Sequence, residues 1–152
     1  MSTFAFDVYL EKVDTTHGAV AVVGALLLRD NSNALYESQF VITQTNGKLV
    51  ATFPEYWDPG NGSATGFADH AVTAPISLQT WTHIAIEHTL LNGNGTGNAA
   101  RLLFDGTAVA TIAINVITHN GSPQAALGMS YISSPSDAWI VHYDNATFTT
   151  SP

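Results

Sequence analysis

A chain of 152 residues, 45% of them hydrophobic, is one domain's worth of sequence and can bury roughly 70% of its unfolded surface without staples. It has no cysteine, which excludes a disulfide scaffold, a thiolate zinc centre and a cysteine nucleophile. Twelve acidic against four basic residues give a net charge of −8, and Lys12, Arg29, Lys48 and Arg101 are too few and too scattered to track nucleic-acid phosphates or dock on anionic lipid.

Along the chain, Phe4, Phe6, Val8 and Leu10 alternate with Ala5, Asp7, Tyr9 and Glu11, the pattern of a half-buried strand. Ala19 to Leu28 is apolar on both faces. Its β-branched Val20, Val22 and Val23 favour a strand over a helix, covered on both sides or by a partner. Gly24 marks a bulge or a close backbone approach. This run is far short of the ~20 residues that span a bilayer, and a patterned strand precedes it, so it is neither a membrane span nor a signal peptide. Met1-Ser2-Thr3 reads as an added start, with any native signal expected outside this chain. The Thr, Asn, Ser and Gly content points to an extracellular or secreted protein.

Leu35 to Gln44 and Lys48 to Phe53 flank Thr45-Asn46-Gly47, a strong hairpin cue. Pro54 to Phe67 reads as a long loop carrying Tyr56 and Trp57. Trp81 to Leu90 is a strand with Ile84 and Ile86 on one face, and Asn92 to Asn98 is a turn. Arg101 to Phe104 and Thr107 to Ile114 flank Asp105-Gly106, a second tight hairpin. Leu127 to Ile132 and Trp139 to Phe148 close the chain. The last strand changes phase: Trp139, Val141 and Tyr143 share one face, Ala146 and Phe148 the other, and a bulge near Asp144-Asn145 would bring both sets to the core side. About ten strands with no long helix and no repeat predict an all-β antiparallel sandwich, one domain over 1–152.

The ordered segments Trp81-Thr82-His83-Ile84-Ala85-Ile86, Arg101-Leu102-Leu103-Phe104-Asp105-Gly106, Leu127-Gly128 and Val141-His142-Tyr143-Asp144-Asn145-Ala146-Thr147-Phe148 carry a resemblance over residues 81–148. The chain resembles the laminin-G-like branch of the concanavalin A-like lectin/glucanase superfamily. The resemblance implies a jelly roll with one concave face. It also implies a core position for Trp81, and a structural calcium ion involving Asp144 of the last strand. Members bind sugars, proteins or lipids, or cleave glycans, so the fold leaves the function open.

Residue chemistry narrows it. The superfamily's glucanases place two carboxylates about 5 Å apart on one strand, as retaining hydrolysis requires. Here Glu11, Glu37, Glu55 and Glu87 have no acidic residue two positions on. Gly128-Met129-Ser130-Tyr131 lacks the final glycine of a nucleophile elbow, since Ile132 follows. On a strand, His83 and Glu87 share a face about 13 Å apart while His88 points away, so one metal cannot use all three. His17, His70, His119 and His142 are expected at the surface or in turns. Calcium is the favoured metal, with Asp58, Asn61 and Asp69 as further oxygen donors.

Sugar binding needs an aromatic platform and planar hydrogen-bonding groups. Tyr56, Trp57, Asp58 and Asn61 supply both in one loop, with Trp57 the first candidate; its alternative is a local core cap. Tyr36, Tyr131 and Trp139 could instead line the concave face, although core packing is the better expectation for Trp139. The leading expectation is a non-catalytic, lectin-like domain recognising a glycan or polysaccharide. The rival is a structural or adhesion module that binds protein or forms a homo-oligomer through Ala19–Leu28. A third reading is a glycan hydrolase or lyase with an unrecognised carboxylate pair.

Overall fold

A computed structural model of the protein describes residues 1–14, 19–29, 34–45, 48–60, 64–91, 97–114, 122–132 and 139–151. Eleven strands and no helix occur among them: β1 (Ser2–Lys12), β2 (Val20–Arg29), β3 (Leu35–Thr45), β4 (Lys48–Thr52), β5 (Glu55–Asp58), β6 (Gly66–Ala68), β7 (Trp81–Thr89), β8 (Ala99–Phe104), β9 (Thr107–Ala113), β10 (Ser122–Ile132) and β11 (Ile140–Thr150). They form two antiparallel sheets. One runs β11-β1-β7-β8-β9; the other runs β10-β2-β3-β5-β6, with β4 also paired to β3. The alternating apolar residues of β1 (Phe4, Phe6, Val8, Leu10) face Ile84, Ile86, Leu102 and Phe104 along their own sheet and Leu26, Leu28, Phe40 and Ile42 across the sandwich. This burial is the main stabilising term, and β1, β2, β3, β7 and β8 contribute most of it.

The turn chemistry read from the sequence is present where the residues are described. Asp105 and Gly106, at φ +48° and +79°, join Phe104 to its partner Thr107 as a type I′ hairpin turn. Thr45 pairs with Lys48 across the other predicted hairpin, whose Asn46 and Gly47 lie outside the described residues. Asn145, at φ +49°, sits in a bulge where two residues of β11 oppose Phe6 alone. That bulge puts Phe148 opposite Phe4 on the inward side, as the phase change requires, yet β11 is an edge strand and Phe148 stays 44% exposed.

Three expectations are corrected. Pro54 to Phe67 is not one long loop, because β5 pairs with the first half of β3 and β6 pairs with β5. Ala19–Leu28 does not offer an open strand to a second copy: β2 is bonded on one edge to β10 and on the other to β3. Trp81 is not a core residue; it is 50% exposed and its ring lies 5.3 Å from that of Tyr9. Trp139 is buried, as expected.

Gly24 does what a strand glycine is for. The register of β2 against β3 shifts between Val22 and Gly24, and a Cβ on Gly24 would stand 2.7 Å from Phe6 Cζ. Phe6 is fully buried and cannot swing away. Gly24→Ala should therefore destabilise the sandwich by about 1–3 kcal/mol, read as a lower urea midpoint at unchanged m-value. An unchanged midpoint would show that the Phe6 ring gives way freely.

Candidate active site on the concave sheet

The outer face of the β10-β2-β3-β5-β6 sheet is where the molecule forms a groove. On β2 and β3 the residues that point away from the sandwich core are nonetheless buried: Val22 is 6% exposed, Ala25 2% and Val41 5%. Flat sheets leave such residues in solvent, so this sheet curls over its own outer face. The register splits the partners of β3, with β5 on its first half and β4 on its second, and Pro54 lies at the change-over. The resulting groove has a volume of about 240 Å³, with a floor of Val20, Val22 and Val41 and walls at Pro54, Phe67 and Tyr131. Gln39, Thr43, Thr52 and Asp69 bring polar groups to it.

Register places the remaining side chains on this face. Tyr131, Val22, Val41 and Thr52 form one row across four strands. Gln124, Leu27, Glu37, Tyr56 and Phe67 form another. Gln39 Nε2 donates to Glu37 Oε1 at 2.8 Å, which orients the amide. Exposed Arg29 stands at one end of the face, opposite Leu35, and exposed Lys48 at the other, opposite Thr45. Those ends are roughly 34 Å apart at 3.4 Å per residue. Neither cation is in an ion pair among the described residues, whereas Arg101 is bonded to Glu87 on the other sheet.

The hairpin that carries Tyr56 and Phe67 is anchored from beneath. Tyr36 OH donates to Glu55 Oε2 at 2.9 Å, and His70 Nε2 lies 3.1 Å from Glu55 Oε1. Burial pushes the Tyr36 phenol well above its usual range, and the nearby Glu55 charge adds to this. Behind Tyr36, His88 Nε2 is 2.7 Å from Ser38 Oγ and the two rings are 5.4 Å apart. His88 was expected only to point away from His83 and Glu87; it is fully buried, and burial lowers its pKa to about 3.

The outer face of the opposite sheet holds carboxylate–histidine pairs. His83 Nδ1 lies 2.6 Å from Asp7 Oδ1, and His142 Nε2 lies 2.6 Å from Glu11 Oε2. Asn145 Nδ2 donates to Asp7 Oδ2 at 2.6 Å; this bond and that to His83 hold the Asp7 carboxyl below its usual range. His83 and Glu87 do share a face, each with its own partner.

The loop residues expected to bind sugar are divided by the strand they form. Tyr56 faces the groove side. Trp57 faces inward, packed on the core and against Gly66, where a Cβ would collide with its indole. Its ring is therefore the core cap rather than a platform. Asp58 Oδ1 accepts from Gly60 N at 2.8 Å, a turn-forming contact. Asn61 lies outside the described residues. Asp144 Oδ1 accepts from Asn145 N at 2.7 Å, and among the described residues no three His, Asp or Glu side chains converge on a metal position. Tyr131 was one of three aromatics proposed for the concave face and is the one there; Tyr36 is buried beneath. Gln39 was missed, although its alternation with Glu37 and Val41 carried the signal.

These features define a two-sheet jelly-roll sandwich with a groove on its curled sheet. No protein-family model and no curated protein matches the sequence. Among solved structures, the chain is similar to alginate lyase Aly36B. A lysine-and-tyrosine alanine mutant of that enzyme in complex with alginate tetrasaccharide gives a TM-score of 0.68 at 14% identity, covering 97% of this chain and 68% of that one. It is also similar to the endo-β-1,4-glucuronan lyase of the fungus Trichoderma reesei, with a TM-score of 0.65 at 13% identity, covering 99% and 68%. At these identities the likeness shows the fold. The laminin-G-like label drawn from residues 81–148 is not carried by these neighbours.

The buried imidazole makes acid stability testable. Below about 6.5 the unfolded chain gains a proton at His88, while the folded ring stays neutral down to about 3. The unfolded state binds more protons in that window, so stability should rise with pH from about 3 to 6.5 and level off above it. Asp7, whose folded pKa is lowered, adds a loss as pH falls below its ordinary 3.8. His88→Gln should flatten the urea-midpoint profile between pH 4 and 6.5; an unaltered slope would assign the acid sensitivity elsewhere.

Proposed function

We propose that the protein is a polysaccharide lyase that cleaves a uronic-acid polymer in the groove of the curled sheet. The observation that carries this is the exposed Tyr131 beside Gln39 in a groove with two exposed cations on its face, neither in an ion pair among the described residues. The lectin-like reading is overturned by the company the fold keeps: its structural neighbours act on alginate and glucuronan as lyases. The argument against catalysis was the missing carboxylate pair, and that argument applies to hydrolysis only. Elimination uses no water and no nucleophile. A base removes the proton on C5, beside the sugar carboxylate; the C4–O4 bond breaks; O4 leaves with a proton; a C4=C5 double bond remains.

Such a site needs a proton carrier and a group that stabilises the charge developing on the carboxylate. Tyr131 is the proton carrier: its deprotonated oxygen takes the C5 proton and then passes that proton to O4 as the C4–O4 bond breaks. The Gln39 amide N–H not bonded to Glu37 stabilises the carboxylate. Arg29 and Lys48 hold carboxylates of sugars further along the chain, which offsets locally the repulsion from the net charge of −8. Tyr56 extends the polar row past Glu37. Polymers of this size are met outside cells, which accords with an extracellular location.

Incubation with alginate and with glucuronan, followed by the ultraviolet absorbance of the conjugated double bond, tests this. Tyr131→Phe should lower kcat/KM by about 100-fold or more. Arg29→Ala and Lys48→Ala should raise KM with little change in kcat. New reducing ends without the absorbance would mean hydrolysis and would overturn the reading; so would the absence of both from either polymer.

A further inference from the structure

We infer that the protein has a second saccharide site, for a neutral pyranose chain, at the Trp81 end of the β11-β1-β7-β8-β9 sheet. A cavity of about 420 Å³ opens there, backed by Phe104 and Val109. Its polar lining is Ser77, Thr80, Thr82 and Thr107 with one carboxylate, Asp105. Trp81 forms one side and is 50% exposed, far more than an indole that serves only to fill a core.

The site is built rather than loose. Asp105 N donates to His83 O at 2.8 Å, and Asp105 Oδ1 accepts from His83 N at 3.0 Å. These two bonds fix the carboxylate on the tight β8–β9 turn and leave its second oxygen without a partner among the described residues. Trp81 is braced by the Tyr9 ring at 5.3 Å, and Tyr9 in turn by the His142 ring at 5.8 Å. A row of three rings thus leads from the outer face of the sheet to the mouth of the cavity.

The chemistry of the lining selects the ligand. A pyranose presents C–H groups on its faces, which stack on an indole, and hydroxyls around its rim, which pair with hydroxyls and a carboxylate. No lining residue is a cation, and Asp105 is an anion, so a uronate would meet repulsion without compensation. The groove is on the outer face of the other sheet, so the two sites do not overlap. This site would tether the protein to neutral polymer while the groove works on a charged one.

Isothermal titration calorimetry with cellohexaose, mannohexaose and laminarihexaose tests the inference directly. At least one should bind, and alginate tetrasaccharide should not compete for it. Trp81→Ala should weaken that binding by at least about 10-fold, while elimination activity on soluble uronan stays unchanged. Asp105→Asn keeps a residue type that accepts the left-handed backbone and should weaken binding severalfold, which covers the case of a Trp81 variant that folds poorly. No heat with any of the three hexasaccharides, or binding that survives both substitutions, would overturn the site. Lyase activity reads the groove independently, so failure of one site is distinguishable from failure of the other.

Discussion

β2 is buried on both faces, and the rest of the architecture follows from that constraint. Its inward residues, Ala21, Val23, Leu26 and Leu28, complete the core between the sheets. Its outward residues, Val22 and Ala25, are buried as well, on the face that carries the groove. Burying apolar area is worth about 25 cal/mol per Å², so the curl is favoured by the same effect that builds the core. The groove is the geometric result. Gly24 sets how closely the two sheets approach here, because Phe6 of the facing sheet occupies the space a side chain would need.

The two outer faces are chemically unlike. The curled face has an apolar floor, a tyrosine, an amide and an exposed cation at each end. The opposite face has its histidines and Arg101 paired to carboxylates, with Trp81 and Tyr9 exposed between them. Exposed pairs of this kind contribute little to stability, so their arrangement is better understood as shaping a surface than as holding the fold. Of the four basic residues, Arg29 and Lys48 lie on the curled face and Lys12 on β1 of the other sheet, none of them in an ion pair among the described residues.

Strand alternation depends on local composition, and wherever a strand was long and half-buried it could be read directly. The inward set of β1, the Asp105-Gly106 turn, the shift at Gly24 and the bulge before Phe148 were all legible, since each has a local steric cause. β5 and β6 were not. With four and three residues they are too short to show a period, and they form because β3 extends far enough to template them. Once β5 exists, alternation sends Trp57 inward and Tyr56 outward, which reverses the roles a loop would have allowed.

All-β class, an antiparallel sandwich, the lack of a cysteine and the lack of a glucanase carboxylate strand were legible in the sequence alone, because each rests on residue type or on spacing within one segment. The site was decided only by the tertiary structure. Tyr131, Gln39, Arg29 and Lys48 come from four different strands and share a face only through the register of β10, β2, β3 and β4. Trp81 likewise looks like any strand-opening tryptophan until its place at the open end of β7, on the outer face, leaves half of it in solvent. Register and curvature are set by contacts distant in sequence, and no local pattern encodes them.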